Sequence, residues 1–178
     1  MQPNHMQRFQ IHFANDNSAL AVRVSPNSNP EDIIRVLGLE SRPALFITGG
    51  ASGMAPEDIR RTEEIVGAIA DFAMENQITI IDGGTESGVM QMMGEARRQR
   101  KGAFTLVGVS PAGKISYPGY VNPNAEAELE DSHSAFVLVD TAEWGGESEM
   151  LVRLPKALAS PQYVVCGVLI NGGKIAAQ

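Results

Sequence analysis

The sequence predicts an α/β protein, a single three-layer domain with a mainly parallel sheet. Short apolar runs rich in β-branched residues alternate with segments of helical periodicity, which is typical of βαβ units. The runs are apolar at nearly every position, as expected for strands that helices cover on both faces. A length of 178 residues suits one such domain with a substantial core.

The elements follow from the chain in order. We assign residues 1–18 to an N-terminal tail or edge segment and residues 19–178 to the domain. Strands are predicted at residues 19–24, 44–48, 78–81, 104–109, 134–139 and 163–170. Helices are predicted to begin near Asn29, Pro56, Gly88 and Glu147. Asn29 is a strong start signal, because a capping residue is followed by a proline and two acids.

Two further segments have patterns of their own. The helix from Pro56 carries an apolar stripe that we interpret as core, formed by Ile59, Ile65, Val66, Ile69, Phe72 and Ala73. Residues 114–131 have no clean period and are predicted to form a long functional or surface loop.

Composition favours a soluble protein of the cytoplasm. No apolar run approaches the ~18 residues that a membrane helix needs, and residues 1–18 lack the pattern of a signal peptide. Cys166 is the only cysteine, and its apolar surroundings predict a buried, inert thiol. The formal net charge of −7 argues against binding to the phosphate backbone of nucleic acids. The basic cluster at residues 97–101 is interpreted as the solvated last turn of a helix.

The stretch at residues 78–90 organises the rest of the chain. It reads as a buried strand, a turn at Gly83 and Gly84, and a helix that Thr85 or Ser87 caps. The N-terminus of a helix after a glycine turn presents unpaired N–H groups and a positive dipole end, which suit a phosphate. The alternative is that the glycines only allow a tight turn.

Glycines recur at the ends of other predicted strands. The pairs are Gly49-Gly50, Gly83-Gly84, Gly145-Gly146 and Gly172-Gly173, and a further strand ends in Ser110-Pro111-Ala112-Gly113. The carboxyl ends of parallel strands share one edge of the sheet, where ligands of such folds bind. A nucleotide-like ligand is therefore predicted at this edge. Neither the G-x-G-x-x-G fingerprint nor a P-loop occurs.

Several polar residues are candidates for contacts with that ligand. Glu147 and Glu149 lie beside Trp144, and they either stabilise a helix dipole or serve as ribose ligands or general acids. Trp144 offers a face on which a base can stack, and Asp140 ends a strand. His133 has either a structural hydrogen-bonding role or a ligand role. The three histidines are too scattered for a metal set, so no metal and no cofactor is expected.

Four stretches in fixed order, residues 82–90, 107–113, 133–140 and 168–173, carry a family resemblance. Over residues 44–173 the chain resembles the SLOG superfamily of the LSDAT type, which includes the nucleotide-sensing module of melastatin-type transient receptor potential channels and its prokaryotic relatives. The resemblance implies a Rossmann-like fold and a nucleotide-derived ligand, with ADP-ribose or another NAD-related molecule as the leading class. It also implies that residues 83–88, 110–113 and 140–146 wall the pocket.

The chain is also similar to the LONELY GUY-type, lysine-decarboxylase-like phosphoribohydrolases, more distantly. Residues 83–90 keep much of their G-G-G-x-x-G-x-M-G motif. Their P-G-G-x-G-T-x-x-E motif is eroded, since Thr141-Ala142-Glu143 replaces P-G-G, and no arginine near His133 matches the catalytic one of that family. Binding without turnover is therefore favoured. The alternative is an N-glycosidase or phosphoribohydrolase that acts on a nucleoside monophosphate.

The resulting hypothesis is a ligand sensor with a defined set of contacts. The predicted ligand-binding residues are Gly49, Gly50, Gly83, Gly84, Thr85, Glu86, Ser87, Gly88, Ser110, Pro111, Gly113, Asp140, Trp144, Gly145, Gly146 and Glu147. In the enzyme alternative, Glu149 and Glu147 are the catalytic acids or bases. The expected partner is a small nucleotide ligand, with neither nucleic acid nor membrane. A homo-oligomer and an effector protein both stay open.

Overall fold

The structure is a computed structural model that describes residues 6–50 and 54–171. Within those ranges the strands are β1 (Gln7–His12), β2 (Ser18–Val24), β3 (Ala44–Gly49), β4 (Thr79–Asp82), β5 (Leu106–Pro111), β6 (Ile115–Ser116), β7 (Ala127–Glu128), β8 (Ala135–Val139) and β9 (Val165–Ile170). The helices are α1 (Pro30–Leu37), α2 (Pro56–Asn76), α3 (Gly88–Gln99) and α4 (Ser148–Ala159).

Seven of these strands form one sheet in the order β1-β2-β8-β5-β4-β3-β9, and β6 pairs with β7 beside it. β1 runs antiparallel to β2, and the other pairings described in the main sheet are parallel. The mainly parallel sheet of the Rossmann-like prediction is thus confirmed.

Helices and one irregular segment cover the two faces of the sheet. On one face, α1 and α4 pack on a core that includes Ile33, Val137 and Leu154. On the other face, α2 and α3 pack over β3 and β4, while residues 112–129 cover β2 and β8. The result is the predicted three-layer arrangement.

Sequence signals explain the local structure of α1. The Asn29 side chain accepts a hydrogen bond from the backbone N–H of Glu31, and Pro30 follows at the first helical position. Gly38 ends the helix with φ at 65°, a left-handed conformation that glycine adopts without strain.

Glycines also permit a close contact between β5 and the turn after β4. A Cβ on Gly108 would lie 2.6 Å from the Cα of Gly84, and a Cβ on Gly84 would lie 2.7 Å from the Cα of Gly108. Gly84 also has φ at +70°. This pair of glycines is therefore required by backbone packing, whether or not a ligand binds nearby.

Some sequence predictions about burial are wrong. Cys166 is exposed, because β9 is the last strand of the described sheet and has no neighbour on its outer side. Ile65 and Phe72 on α2 are 51% and 55% exposed, while Val66 and Ala73 of the same stripe are buried. An apolar run or stripe does not show whether its element lies at the edge of the layers.

The segment predicted as a long loop has more structure than expected. Residues 112–114 form a short 3-10 turn, and the two-residue strands β6 and β7 follow it. Leu129 and Glu130 are then buried. Among the described residues, no helix has the length and apolar character needed to cross a membrane.

Candidate functional site

The carboxyl ends of three adjacent strands bring together most of the predicted ligand-binding residues. β4, β5 and β8 end at Asp82, Pro111 and Val139, and the loops that follow meet along one edge. The hydroxyl of Ser110 donates to the carbonyl of Gly83 at 2.5 Å. The N–H of Gly113 donates to the carbonyl of Thr141 at 2.9 Å. We call residues 83–88, 110–113 and 140–147 the rim.

The other predicted glycines lie further along the same edge. Gly49 ends β3 and pairs with Ile170 of β9, and a Cβ on Gly49 would lie 1.9 Å from the carbonyl oxygen of Ile170. The carbonyl of Gly50 accepts from the side chain of Asn171. Gly172 and Gly173 lie outside the described residues. Close strand packing thus accounts for Gly49.

Within the rim, the 83–88 loop uses several of its amides internally. Gly84 N–H donates to Oδ1 of Asp82 at 2.8 Å. Glu86 N–H donates to the carbonyl of Glu128, and Ser87 N–H to that of Thr85, each at 2.8 Å. These three N–H groups are committed to the protein itself.

The start of α3 is different, because no side chain caps it. Ser87 is at the cap position, but its hydroxyl is 3.1 Å from the hydroxyl of Thr85 and bonds no helix amide. The prediction that Thr85 or Ser87 caps this helix is therefore wrong. Among the described residues, no side chain accepts a hydrogen bond from the first-turn amides of α3, and water or a ligand is the kind of partner that such amides take.

The opposite wall of the rim is formed by Asp140 and Trp144. Asp140 accepts a hydrogen bond from Nε of Arg23 at 2.6 Å, and this bond raises the pKa of Arg23. The indole N–H of Trp144 donates to Oε2 of Glu126 at 2.7 Å. Lys114 binds Oε1 of the same carboxylate at 2.7 Å. The Asp140 carboxylate is thus already neutralised by a cation.

The two candidate acids have different environments. Glu147 is 9% exposed, and its carboxylate accepts from the N–H of Gly145 at 3.0 Å. Burial raises the pKa of Glu147, although hydrogen bonds from the backbone oppose this. The Glu149 side chain is 75% exposed and lies 3.6 Å from Arg153. Of the two, Glu147 has the environment of a general acid.

Three ionisable residues form a buried network beneath the rim. His133 is fully buried, and Asp82 and Glu130 are 1% and 4% exposed. Nε2 of His133 lies 2.8 Å from Oδ1 of Asp82, and Nδ1 lies 2.6 Å from Oε2 of Glu130. Because each ring nitrogen faces a carboxylate, the geometry favours the doubly protonated imidazolium.

The electrostatics of the network agree with that assignment. Burial alone lowers the pKa of His133, but the charges and hydrogen bonds of Asp82 and Glu130 outweigh it and raise the pKa to about 9. Oδ2 of Asp82 is buried without a hydrogen-bond partner among the described residues. Nearby, burial lowers the pKa of Arg97, and the charge of Glu130 opposes that shift.

Arg97 also corrects the interpretation of the basic cluster as a solvated turn. Its guanidinium donates to the carbonyls of Phe104 and Ser132 at 2.8 and 2.7 Å. Arg100 donates to Asp71 at 2.7 Å and to the carbonyl of Gly67 at 3.0 Å. These two arginines join α3 to its neighbours, whereas Arg98 forms an exposed pair with Glu95.

Sequence reasoning missed most of this network. Asp82 and Glu130 were not among the candidate residues, and the role of His133 was left open. One usable signal was Gly94 in the middle of α3, because a glycine inside a helix costs about 1 kcal/mol unless close packing requires it. A Cβ on Gly94 would lie 2.0 Å from the carboxyl group of Glu130.

A groove of about 910 Å³ runs along the outside of α2 and α3 and adjoins the 83–88 part of the rim. Of the predicted ligand-binding residues, only Glu86 and Gly88 line it. Its other walls include exposed charged side chains such as Glu95 and Arg98, already paired with each other.

Across the described ranges, no group of three or more His, Cys, Asp or Glu side chains is arranged to hold a metal ion.

The first prediction concerns Gly94. Gly94→Ala places a Cβ where the Glu130 carboxylate lies, so the carboxylate must move away from His133. We therefore expect a loss of about 3 kcal/mol in the free energy of unfolding. The control Gly67→Ala lies on α2, where the nearest atom would be 3.7 Å away, and we expect a gain of about 1 kcal/mol there. Urea unfolding measures both. Equal stability of the two variants would contradict the packing of Glu130 on α3.

The second prediction concerns pH. The pKa of His133 rises from 6.5 to about 9 on folding, so the folded state holds this proton more tightly. The contribution of the protonated His133 to the free energy of unfolding is complete below about pH 6.5 and is lost as pH rises through about 9. We expect the free energy of unfolding to fall by roughly 3 kcal/mol over that window. In His133→Gln the fall should be absent, and an equal slope in both proteins would refute the charged imidazolium.

Comparison with known proteins adds a family. No curated protein is significantly similar to the chain. Among solved structures, it is similar to the X-ray structure of TM1055, a Northeast Structural Genomics Consortium target, with a TM-score of 0.45 and 16% sequence identity. That match covers 76% of this chain and 64% of the other, so this chain spans less than two thirds of its length. The family described as "SLOG in TRPM, prokaryote" matches residues 42–178. This match confirms the resemblance, and the chain belongs to that family.

Proposed function

We propose that the chain binds a nucleotide-derived ligand of the ADP-ribose or NAD-related class at the rim and acts as a cytoplasmic sensor. The observation that carries the proposal is the uncapped start of α3, at the β4 end of the rim, in a member of the SLOG family. A helix N-terminus without a side-chain acceptor is an electrostatic site for phosphate oxygens.

The rest of the rim suits the sugar and the base. Glu147 is a buried carboxylate three residues after Trp144 and bonds the N–H of Gly145, and carboxylates commonly accept from ribose hydroxyls. Trp144 is partly buried, and Glu126 fixes its indole N–H, which holds the ring in place as a stacking face. Asp140 contributes as an ion pair with Arg23 rather than as a free carboxylate.

The proposal also includes the partners of a sensor. A net charge of −7 disfavours nucleic acid as a binding partner. Transmission of the binding signal would use a second copy of the chain or an effector protein.

Calorimetric titration with ADP-ribose, NAD, AMP and other nucleoside monophosphates tests binding. Chromatography of the same mixtures then tests turnover. Saturable binding of an intact ligand supports the sensor, and no heat with any of these compounds would refute it.

The third prediction uses opposite effects on stability and affinity. In Ser87→Asp, the new carboxylate can accept from the open amides of α3, so we expect a gain of about 0.5 to 1 kcal/mol in the free energy of unfolding. The same carboxylate occupies the phosphate position and repels it, so affinity for ADP-ribose should fall at least about tenfold, or roughly 1.4 kcal/mol.

The matched control is Asn29→Asp, which adds the same charge at the capped start of α1. Stability and affinity should both stay close to wild type in this variant. If Ser87→Asp binds ADP-ribose as tightly as Asn29→Asp does, the start of α3 is not the phosphate site.

The buried acid at the rim favours a second candidate function. Because burial raises the pKa of Glu147, this residue could donate a proton to a leaving base. The enzyme would then be an N-glycosidase or phosphoribohydrolase acting on a nucleoside monophosphate. Glu149 is exposed and is the weaker candidate for the acid.

The fourth prediction tests that alternative. If wild type releases free base from a nucleoside monophosphate, Glu147→Gln should lower kcat by about a hundredfold or more because the proton donor is lost. Glu149→Gln should change kcat by less than about twofold. Chromatography of product formation measures both variants. A larger loss in Glu149→Gln would exchange the roles of the two acids, and no product from wild type would remove the enzyme candidate.

A further inference from the structure

A single segment, residues 126–133, contacts two parts of the rim and also Lys114, which follows the third part, and we call it the brace. At its start, the N–H of Glu126 donates to the carbonyl of Lys114 at 2.8 Å, and the Glu126 carboxylate holds the indole of Trp144. Further along, Glu128 accepts from the N–H of Glu86. The brace therefore joins the 83–88 loop, which follows β4, to the 140–147 loop, which follows β8, and it also contacts Lys114 beside residues 110–113.

A further link between the brace and the rim runs through Gly84. Its N–H donates to Oδ1 of Asp82 at 2.8 Å, and its carbonyl accepts from the N–H of Glu130 at 2.9 Å. Both polar groups of this residue are thus bound to members of the buried network. An isolated bridge between Thr85 and Leu129 continues the same contact.

His133 connects those two members, because one ring nitrogen faces Asp82 and the other faces Glu130. The Glu130 carboxylate also accepts from the N–H of Ser132 at 2.9 Å, which closes the end of the brace. Removing the imidazole would leave two buried carboxylates facing each other without a cation between them, at a cost of several kcal/mol.

Because His133 is fully buried, it does not act by direct contact with a ligand. His133 has no exposed surface, and both of its ring nitrogens are engaged, so neither is open to a ligand. A well-packed apolar cluster would be about as stable as a buried ion network. The network instead fixes the positions of particular backbone groups, namely those of Gly84 and Glu130.

We propose that His133 is the positioning residue for the ligand rim, and that it acts by fastening the brace to Asp82 and so fixing the 83–88 loop and the start of α3. The inference rests on the proposed function for the identity of the ligand. It does not rest on it for the mechanical role of the brace.

The test compares His133→Gln with His12→Gln, a control at an exposed histidine that bonds Ser18 on the hairpin. Amide hydrogen exchange without ligand gives the first measurement. In His133→Gln we expect exchange of the Glu86 and Glu130 amides to accelerate at least about tenfold, beyond any change in α1, as in a local opening. Glu130→Gln is the second variant if His133→Gln does not fold.

Affinity for ADP-ribose, measured where each variant is fully folded, gives the second readout. A purely structural histidine would lower stability and leave the affinity of the folded protein unchanged, whereas a positioning residue should lower affinity at least about tenfold. If a folded variant keeps the wild-type rate of amide exchange at Glu86 and Glu130, the proposal that the brace holds the rim is refuted. Faster exchange with unchanged affinity would overturn its role in ligand binding. If wild type binds no ADP-ribose, the proposed function fails, and the exchange data still decide whether the brace holds the rim.

Discussion

The structure depends on the hydrogen-bonded contact of His133 with Asp82 and Glu130. Charged groups that leave water must be paired within the protein, because the free energy of an isolated buried charge is prohibitive. That requirement binds the end of β4 to a residue 51 positions later in the chain. The pairing also requires a small residue beside Glu130, because a Cβ on Gly94 would overlap the Glu130 carboxyl group.

The glycines in and beside the rim allow two kinds of close packing, one between backbones and one between loops. Neither kind of packing requires a ligand. Gly84 and Gly108 allow one backbone to approach another. Cβ atoms on Gly113 and Gly146 would lie within 2.6 Å of Thr141, so these glycines let the loops of the rim pack together. Within the described part of the chain, the uncapped start of α3 is the feature that these packing contacts do not explain.

Local patterns were sufficient to predict the parallel layers and the capped start of α1, because burial and capping act over a few residues. They were insufficient for contacts between distant segments. Nothing near Glu130 in the sequence indicates that it packs on α3 against Gly94, and an apolar run at Cys166 does not show that β9 lies at the edge of the described sheet. The rim residues were placed together by the rule that parallel strands share one carboxyl edge, but their hydrogen-bond partners were not predictable.

The charges beside the rim bear on how a ligand could be held. Arg23 is paired with Asp140, and Lys114 with Glu126, so a phosphate must compete with a carboxylate for either cation. Among the described residues, the first-turn amides of α3 have no such competitor, and they can bind an anion without breaking an ion pair. Their position is set by the 83–88 loop, which the brace fixes through Gly84 and Glu86. If backbone dipoles bind a phosphate here, as proposed, affinity depends on the buried network under the loop rather than on a surface cation.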